Sequence, residues 1–344
     1  MGKSANPREK RKRVALFAEL GYNEEKTEKE GSGVRFSVGE EENGMLLRTF
    51  LKRKRLSTHL VAHLKRVPDG ITVNGVPATE RAILRACDEV NVALEDETGS
   101  EVVVPVALPL TVLYEDDDLI AVSKPPQMPT HPSHGHTDDT LANALAFYFR
   151  ERPFVFRPVN RLDRDTSGIV VVSKNARAAS ILAGEMARGA FRKSYLAVVD
   201  GAMPVGEEIT VDRPLCRTAV SIIVRRVCEP DEPGAQAAVT HATVLASENG
   251  YSLLHVRPKT GRTHQIRVHM ASLGHPVTGD GLYGKESDRI ARQALHAYSL
   301  SFPLPSGERK TVIAPLPDDM RALLSQIGID ADFSLKNLAI SDEL

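Results

Sequence analysis

Apolar positions recur at helical spacing in two short stretches near the amino end: Leu47, Phe50 and Leu51, then Leu60, Val61 and Leu64. Ser57 precedes the second stretch at the place of a helix cap. Ile71-Thr72-Val73-Asn74-Gly75-Val76 predicts a strand running into an Asn-Gly hairpin turn, and Asp88-Glu89-Val90-Asn91-Val92 predicts a further strand. Residues 97–110, with Gly99, Pro105 and Pro109, read as a linker. Two strands then flank the acidic turn Asp116-Asp117-Asp118, and a helix starts near Asp139-Thr140-Leu141. Ile169-Val170-Val171-Val172 is short, continuous and β-branched, the pattern of a buried strand. Ile181, Leu182 and Met186 stripe a helix over 176–186, and 191–201 predicts a strand closed by Gly201. Residues 202–240 suggest strands joined by irregular loops. The next two strands pair across Asn249-Gly250. Ile266, Met270 and Leu273 make one helical face that ends at Gly274, with Pro276 as a stop. Pattern alone supports alternating strands and helices.

Composition adds bounds. The chain has 344 residues, 42% hydrophobic and 26% charged, enough for two domains with a sizeable core. No apolar run reaches membrane-spanning length, and the basic start has no apolar core of a signal peptide. The three cysteines, Cys87, Cys216 and Cys228, are odd in number and far apart, which suggests a reducing cytosol, no disulfide framework and no zinc site. His131, His134 and His136 lie close together among Pro, Ser, Gly and Thr, with no carboxylate at ligand spacing, and read as loop. The net charge of −1 hides an uneven distribution: between Leu46 and Arg66 there are seven Lys or Arg and no Asp or Glu. Such an unbalanced basic face suggests phosphate contacts, and Arg48, Lys52, Arg53, Arg55 and Lys65 are its candidates. A solubilising surface is the other reading, though such surfaces usually intersperse both signs.

Candidate chemistry concentrates in Asn160-Arg161-Leu162-Asp163-Arg164-Asp165-Thr166-Ser167-Gly168. Carboxylates, guanidiniums and hydroxyls crowd the loop before a buried strand, where sites are usually built. The bland alternative is a turn whose Asp and Arg residues pair in solvent. This segment resembles the catalytic motif of the RluA-like pseudouridine synthases, His-Arg-Leu-Asp-x-x-Thr-Ser-Gly, with the family's Asp on Asp163 and Asn160 in place of its His. A second block, Thr260-Gly261-Arg262-Thr263-His264-Gln265-Ile266-Arg267, resembles the family's Thr-Gly-Arg-x-His-Gln-Ile-Arg, and Gly279-Asp280 and Tyr283-Gly284 continue the match. The resemblance places the active-site Arg on Arg262 and the active-site Tyr on Tyr195, which pattern alone would read as a half-buried strand Tyr. The order helix, helix, hairpin, strand over residues 45–98 resembles an S4-like RNA-binding domain.

The resemblance implies an α+β architecture: a mixed, largely antiparallel central sheet with flanking helices, plus a small amino-terminal S4-like module. The expected organisation is a flexible extension over 1–44, the S4-like domain over 45–98, the catalytic domain over 99–325 and a tail over 326–344. It also implies isomerisation of uridine to pseudouridine in RNA, with ribosomal RNA favoured over tRNA. That reaction has no net redox change or group transfer, so no cofactor and no metal are expected; nor are a membrane partner or an oligomer. Asp163 would be nucleophile or proton acceptor at the sugar. Arg262 would hold it ionised, because an opposite charge favours the charged form. Tyr195 would stack on the detached uracil or assist proton removal. Arg161, Asn160 and Thr166 would contact RNA, with Arg161 able to fill the space the flipped base leaves. A non-catalytic RNA-binding or ribosome-assembly protein on the same scaffold, and a nucleosidase that releases uracil, are the competing readings.

Overall fold

The computed structural model describes residues 34–54, 56, 58–93, 103–133, 135–218, 221–332 and 334. The amino-terminal module is a four-stranded antiparallel sheet of β1 (Val34–Ser37), β2 (Ile71–Val73), β3 (Val76–Pro77) and β4 (Glu89–Val92), ordered β1-β4-β2-β3. Helices α1 (Leu47–Arg53) and α2 (Thr58–Leu64) bury Leu47, Phe50, Leu51, Leu60, Val61 and Leu64 against Ile71, Val90 and Val92. Asn74 and Gly75 both take positive φ, 51° and 78°, as a two-residue hairpin of this kind requires. The sheet takes in β1, which lies inside the expected flexible extension, because Val34 to Ser37 pair along the whole of β4.

A second, ten-stranded sheet carries the rest of the chain. Its strands are β5 (Thr111–Glu115), β6 (Leu119–Lys124), β7 (Arg157–Pro158), β8 (Ser167–Ser173), β9 (Arg192–Asp200), β10 (Glu208–Asp212), β13 (Val239–Glu248), β14 (Tyr251–Pro258), β15 (Leu295–Pro303) and β16 (Arg309–Ile313). The main path runs β10-β13-β14-β9-β15-β8-β6-β5, with β16 on β15 and β7 on β8. Every pairing is antiparallel except β15 with β8, which meet in parallel only at His296–Ser167 and Ala297–Gly168. That junction explains Gly168: its φ is 115°, and a Cβ there would lie 2.2 Å from the Ala297 carbonyl oxygen.

Both faces of β6 and β8 are covered, which is why 169–172 reads as an unbroken apolar run. Helix α3 (Leu141–Tyr148) packs Leu141 and Leu145 on Ile120, Val122, Val170 and Val172. Leu182 of α4 (Ala176–Ala187) packs with Leu119, Ala121, Ile169 and Val171 on the other face. Helix α5 (Gln265–Ser272) and helix α6 (Asp318–Gln326) share a core with β9, β13 and β14. Of the apolar face expected on α5, Ile266 and Met270 are buried, but Leu273 caps the helix end and stays exposed. The expected tail begins inside this core, since Ile327 and Ile329 are buried.

Strands β11 (Leu215–Thr218) and β12 (Ser221–Val227) form a separate ribbon. Cys216 and Cys228 are joined there by a disulfide, with Cα atoms 5.9 Å apart. The expectation of no disulfide is therefore corrected: the pair lies 12 positions apart in sequence, and the hairpin folds that distance back on itself. Cys87 is free and exposed. No helix among the described residues is long and apolar enough to cross a membrane.

Candidate active site

Asp163 sits in the loop between β7 and β8, and that loop is fixed at almost every position. The Asn160 amide accepts from the Val171 N–H at 2.8 Å and donates to the Ile169 carbonyl at 3.0 Å, tying the loop to β8. The residue that departs from the family motif thus ties the loop to the strand backbone, and it also lines the cavity that holds Asp163. Leu162 is held at both backbone groups by the Thr130 hydroxyl. The Lys124 ammonium, fully buried, donates to the carbonyls of Pro125, Met128 and Arg164 at 2.8–3.0 Å. Burial pushes its pKa down to about 7, against the opposing pull of Asp165. Arg292 donates to the Asp165 carbonyl while forking onto Asp319 at 2.6 and 2.9 Å. Thr166 is buried and accepts from Gln293, so it too belongs to the scaffold of the loop. Ser167 bonds to His296, whose ring burial holds at a pKa of about 4.

The second block supplies the opposite wall. Gln265, the first residue of α5, accepts from the Thr260 hydroxyl and the Arg262 N–H and donates to Val239 and Thr240, which locks the loop ahead of the helix. His264, at the helix cap, takes a left-handed backbone conformation (φ 58°), uncommon for a residue with a side chain. Its Nδ1 bonds to the Tyr283 hydroxyl at 2.8 Å, and its Nε2 lies 3.8 Å from Asp163 Oδ2. Burial lowers the His264 pKa, which favours the neutral ring.

The arginine against Asp163 is Arg267. Its Nη1 donates to Asp163 Oδ2 at 3.2 Å, while Nε and Nη2 fork onto Asp280 at 2.6 and 2.8 Å. The guanidinium is desolvated, yet the two carboxylates more than offset that, and its pKa is raised. Arg262, expected in this position, lines the same cavity but donates from Nε to the Ala237 carbonyl and makes no ion pair with Asp163. Four residues, the last two helical, lie between the two environments: Arg262 is in the loop, Arg267 is buried on α5. The resemblance put the active-site role on the first Arg of the motif, and periodicity alone could not choose between the two. Sequence reading gave no role to Lys124 or Arg292 and took Asp280 only as a continuation of the match, because nothing local announces a buried charge whose partner is far along the chain.

Asp163, Tyr195, Arg161, Arg262 and Arg267 line one open cavity of about 550 Å3, a volume suited to a nucleotide. Tyr195 comes from the central strand β9; burial, and then the Asp163 charge, push its phenol pKa up. The phenol therefore stays protonated near neutral pH, which favours a stacking platform over the proton-removing role also considered for it. In the amino-terminal module, Arg48, Lys52, Arg53 and Lys65 are exposed, and Arg55 lies outside the described residues. Their excess charge is partly met from elsewhere in the chain, Lys65 pairing with Glu80 at 3.2 Å and Arg53 with Glu41 at 3.8 Å.

An antiparallel-dominated sheet thus sets one carboxylate against a shared arginine in an open, nucleotide-sized cavity that several cations line. A family model described as RNA pseudouridylate synthase matches residues 118–272, the span that carries both blocks. The uncharacterized RNA pseudouridine synthase YjbO of Bacillus subtilis is 37% identical over 81% of this chain and 98% of its own. Ribosomal large subunit pseudouridine synthase D of Haemophilus influenzae is 37% identical over 81% of this chain and 87% of its own. Among solved structures, Human RNA Pseudouridylate Synthase Domain Containing 1 superposes with a TM-score of 0.51 at 28% identity, covering 61% of this chain and 84% of that one. The chain belongs to the RNA pseudouridylate synthase family.

Proposed function

We propose that the protein isomerises uridine to pseudouridine in ribosomal RNA of the large subunit, with Asp163 as the group that acts on the sugar. The names of relatives such as the Haemophilus influenzae protein support that choice of RNA. The observation that carries the reading is Asp163 facing a nucleotide-sized cavity with Arg267 bridging it to Asp280.

The reaction breaks the N1–C1′ bond, turns the base and joins C5 to C1′; C5 loses a proton and N1 gains one. An ionised carboxylate at the sugar can attack C1′ or take a sugar proton. Arg267 sets a positive charge beside Asp163 and, being anchored on Asp280, holds it in one orientation. Tyr195 offers a flat face to the detached uracil and keeps it in the cavity. The base must leave its stack first, at a cost of a few kcal/mol. Arg161 donates to the Thr263 hydroxyl at 3.3 Å and lines the cavity, where it can contact RNA or occupy the vacated space. The amino-terminal module, read as S4-like, adds salt-sensitive affinity through Arg48, Lys52 and Arg53.

Incubating the protein with transcripts of large-subunit ribosomal RNA and mapping modified positions tests this. Pseudouridine at a defined position is the expected result. RNA bound but unchanged would favour an assembly factor, and free uracil a nucleosidase; either overturns the proposal.

A further inference from the structure

Two cations in the cavity have no task in the chemistry. Lys193, near the start of β9, directs its ammonium over the backbone of Gly261, where a Cβ would lie 3.2 Å from Nζ. Its hydrogen bond is a long one, 3.4 Å to the Thr260 carbonyl. Arg262 follows directly, with Nε held by the Ala237 carbonyl at 3.0 Å and its two terminal amino groups without a hydrogen-bond partner among the described residues. Both residues line the cavity that holds Asp163 and Tyr195. Neither makes an ion pair among the described residues, in contrast to Arg267, Arg292 and Lys174, each of which meets a carboxylate. The two charges are close enough to oppose each other: burial first, and then the Arg262 charge, push the Lys193 pKa down. Like charges kept together without an anion are costly for the free protein, and an arriving anion relieves that cost.

We propose that Lys193 and Arg262 form a subsite for the phosphodiester next to the target uridine, gripping the RNA backbone while Asp163 and Tyr195 engage the flipped nucleoside. The inference rests on the reading that RNA enters this cavity, and it gives Arg262 a binding role in place of the one expected beside Asp163. A lysine supplies a point charge and an arginine a fork, a pairing that suits the tetrahedral oxygens of a phosphate. Lys193 stands on β9, and the loop that presents Arg262 is held in place ahead of α5. Gln265 holds the Arg262 N–H and the Thr260 hydroxyl, and the Thr260 carbonyl in turn accepts from Lys193, so the loop backbone that both cations rest on is set before RNA arrives.

The test uses the full-length protein and the shortest ribosomal RNA transcript it modifies, resynthesised with single neutral methylphosphonates at each phosphate flanking the target uridine. With the unaltered protein, one such replacement should lower kcat/KM by about tenfold or more, the weight of a charge-assisted hydrogen bond. Lys193→Gln and Arg262→Gln should each cause a similar loss on normal RNA, carried by KM, and should then be indifferent to that same methylphosphonate. Each should also flatten the dependence of log affinity on log salt by about one. Indifference of the unaltered protein to every flanking methylphosphonate overturns the subsite, and that arm needs no variant to fold. Variants whose loss lies in kcat with KM unchanged, or that remain sensitive to the replacement, also overturn it. Failure of the unaltered protein on all-phosphate RNA refutes the function on which the subsite rests, a result the control reveals separately.

Discussion

Replacing Asp280 with Asn isolates the brace behind the catalytic pair. The Asp280 side chain is fully buried and that of Arg267 is 8% exposed, so the ion pair between them has almost no solvent to fall back on. Asn keeps the shape and can still accept from the Leu282 and Tyr283 N–H groups, as Asp280 Oδ1 does now at 3.0 and 3.3 Å. It cannot answer both Nε and Nη2 of the guanidinium, because its amide presents a donor to one of them. Removing one partner of a buried pair costs about 3–5 kcal/mol. Arg267 keeps Asp163 at 3.2 Å, which places this case at the low end, about 3 kcal/mol. For a domain of this size that is a fall in Tm of about 6–12 °C. Thermal melting followed by circular dichroism reads it directly. The same substitution in an Arg267→Met background should cost less than about 1 kcal/mol, since the stranded charge is gone. A Tm within about 2 °C of the unaltered protein, or an equal fall in both backgrounds, would refute the reasoning.

Gly168→Ala should destabilise by about 3 kcal/mol or more, because the new methyl meets the Ala297 carbonyl oxygen in a backbone conformation that L-residues avoid; chemical denaturation measures it, and a change under 1 kcal/mol contradicts the junction described. His296 titrates near 6.5 when unfolded and at about 4 when folded, so the unfolded chain takes up the proton first as pH falls. Stability should therefore be complete above pH 6.5 and decline by about 3 kcal/mol towards pH 4, and His296→Gln should flatten that slope in a pH series of melting curves. Thiol titration of the denatured, unreduced protein should count one free thiol, Cys87, and three after reduction; three without reduction would rule out the disulfide.

Where the chain's own periodicity sets the outcome, the sequence was readable. The two amino-terminal helices, the Asn-Gly hairpins and the buried strand after the Asp163 loop all follow from spacing and turn chemistry. The position of Asp163 was legible because its motif is compact and its neighbours hold it through the backbone. What spacing could not give was long-range pairing. Arg267 meets a carboxylate 104 positions away, and Arg292 reaches back 127 positions to the Asp165 carbonyl. Such partners are set by strand order, here by β15 inserting between β8 and β9. The same cause hid β1, which pairs along β4, whereas the disulfide escaped because three scattered cysteines carry no framework pattern and a local hairpin brings two of them together.

The role of Asp163 is tested most directly by release of tritium from RNA labelled at C5 of uridine, since forming the new carbon–carbon bond must expel that atom. The unaltered protein should release tritium in proportion to pseudouridine formed. Asp163→Asn, which keeps the volume and removes the charge, should bind the RNA and release none above background. Tritium released by that variant at a rate near that of the unaltered protein would contradict the assignment.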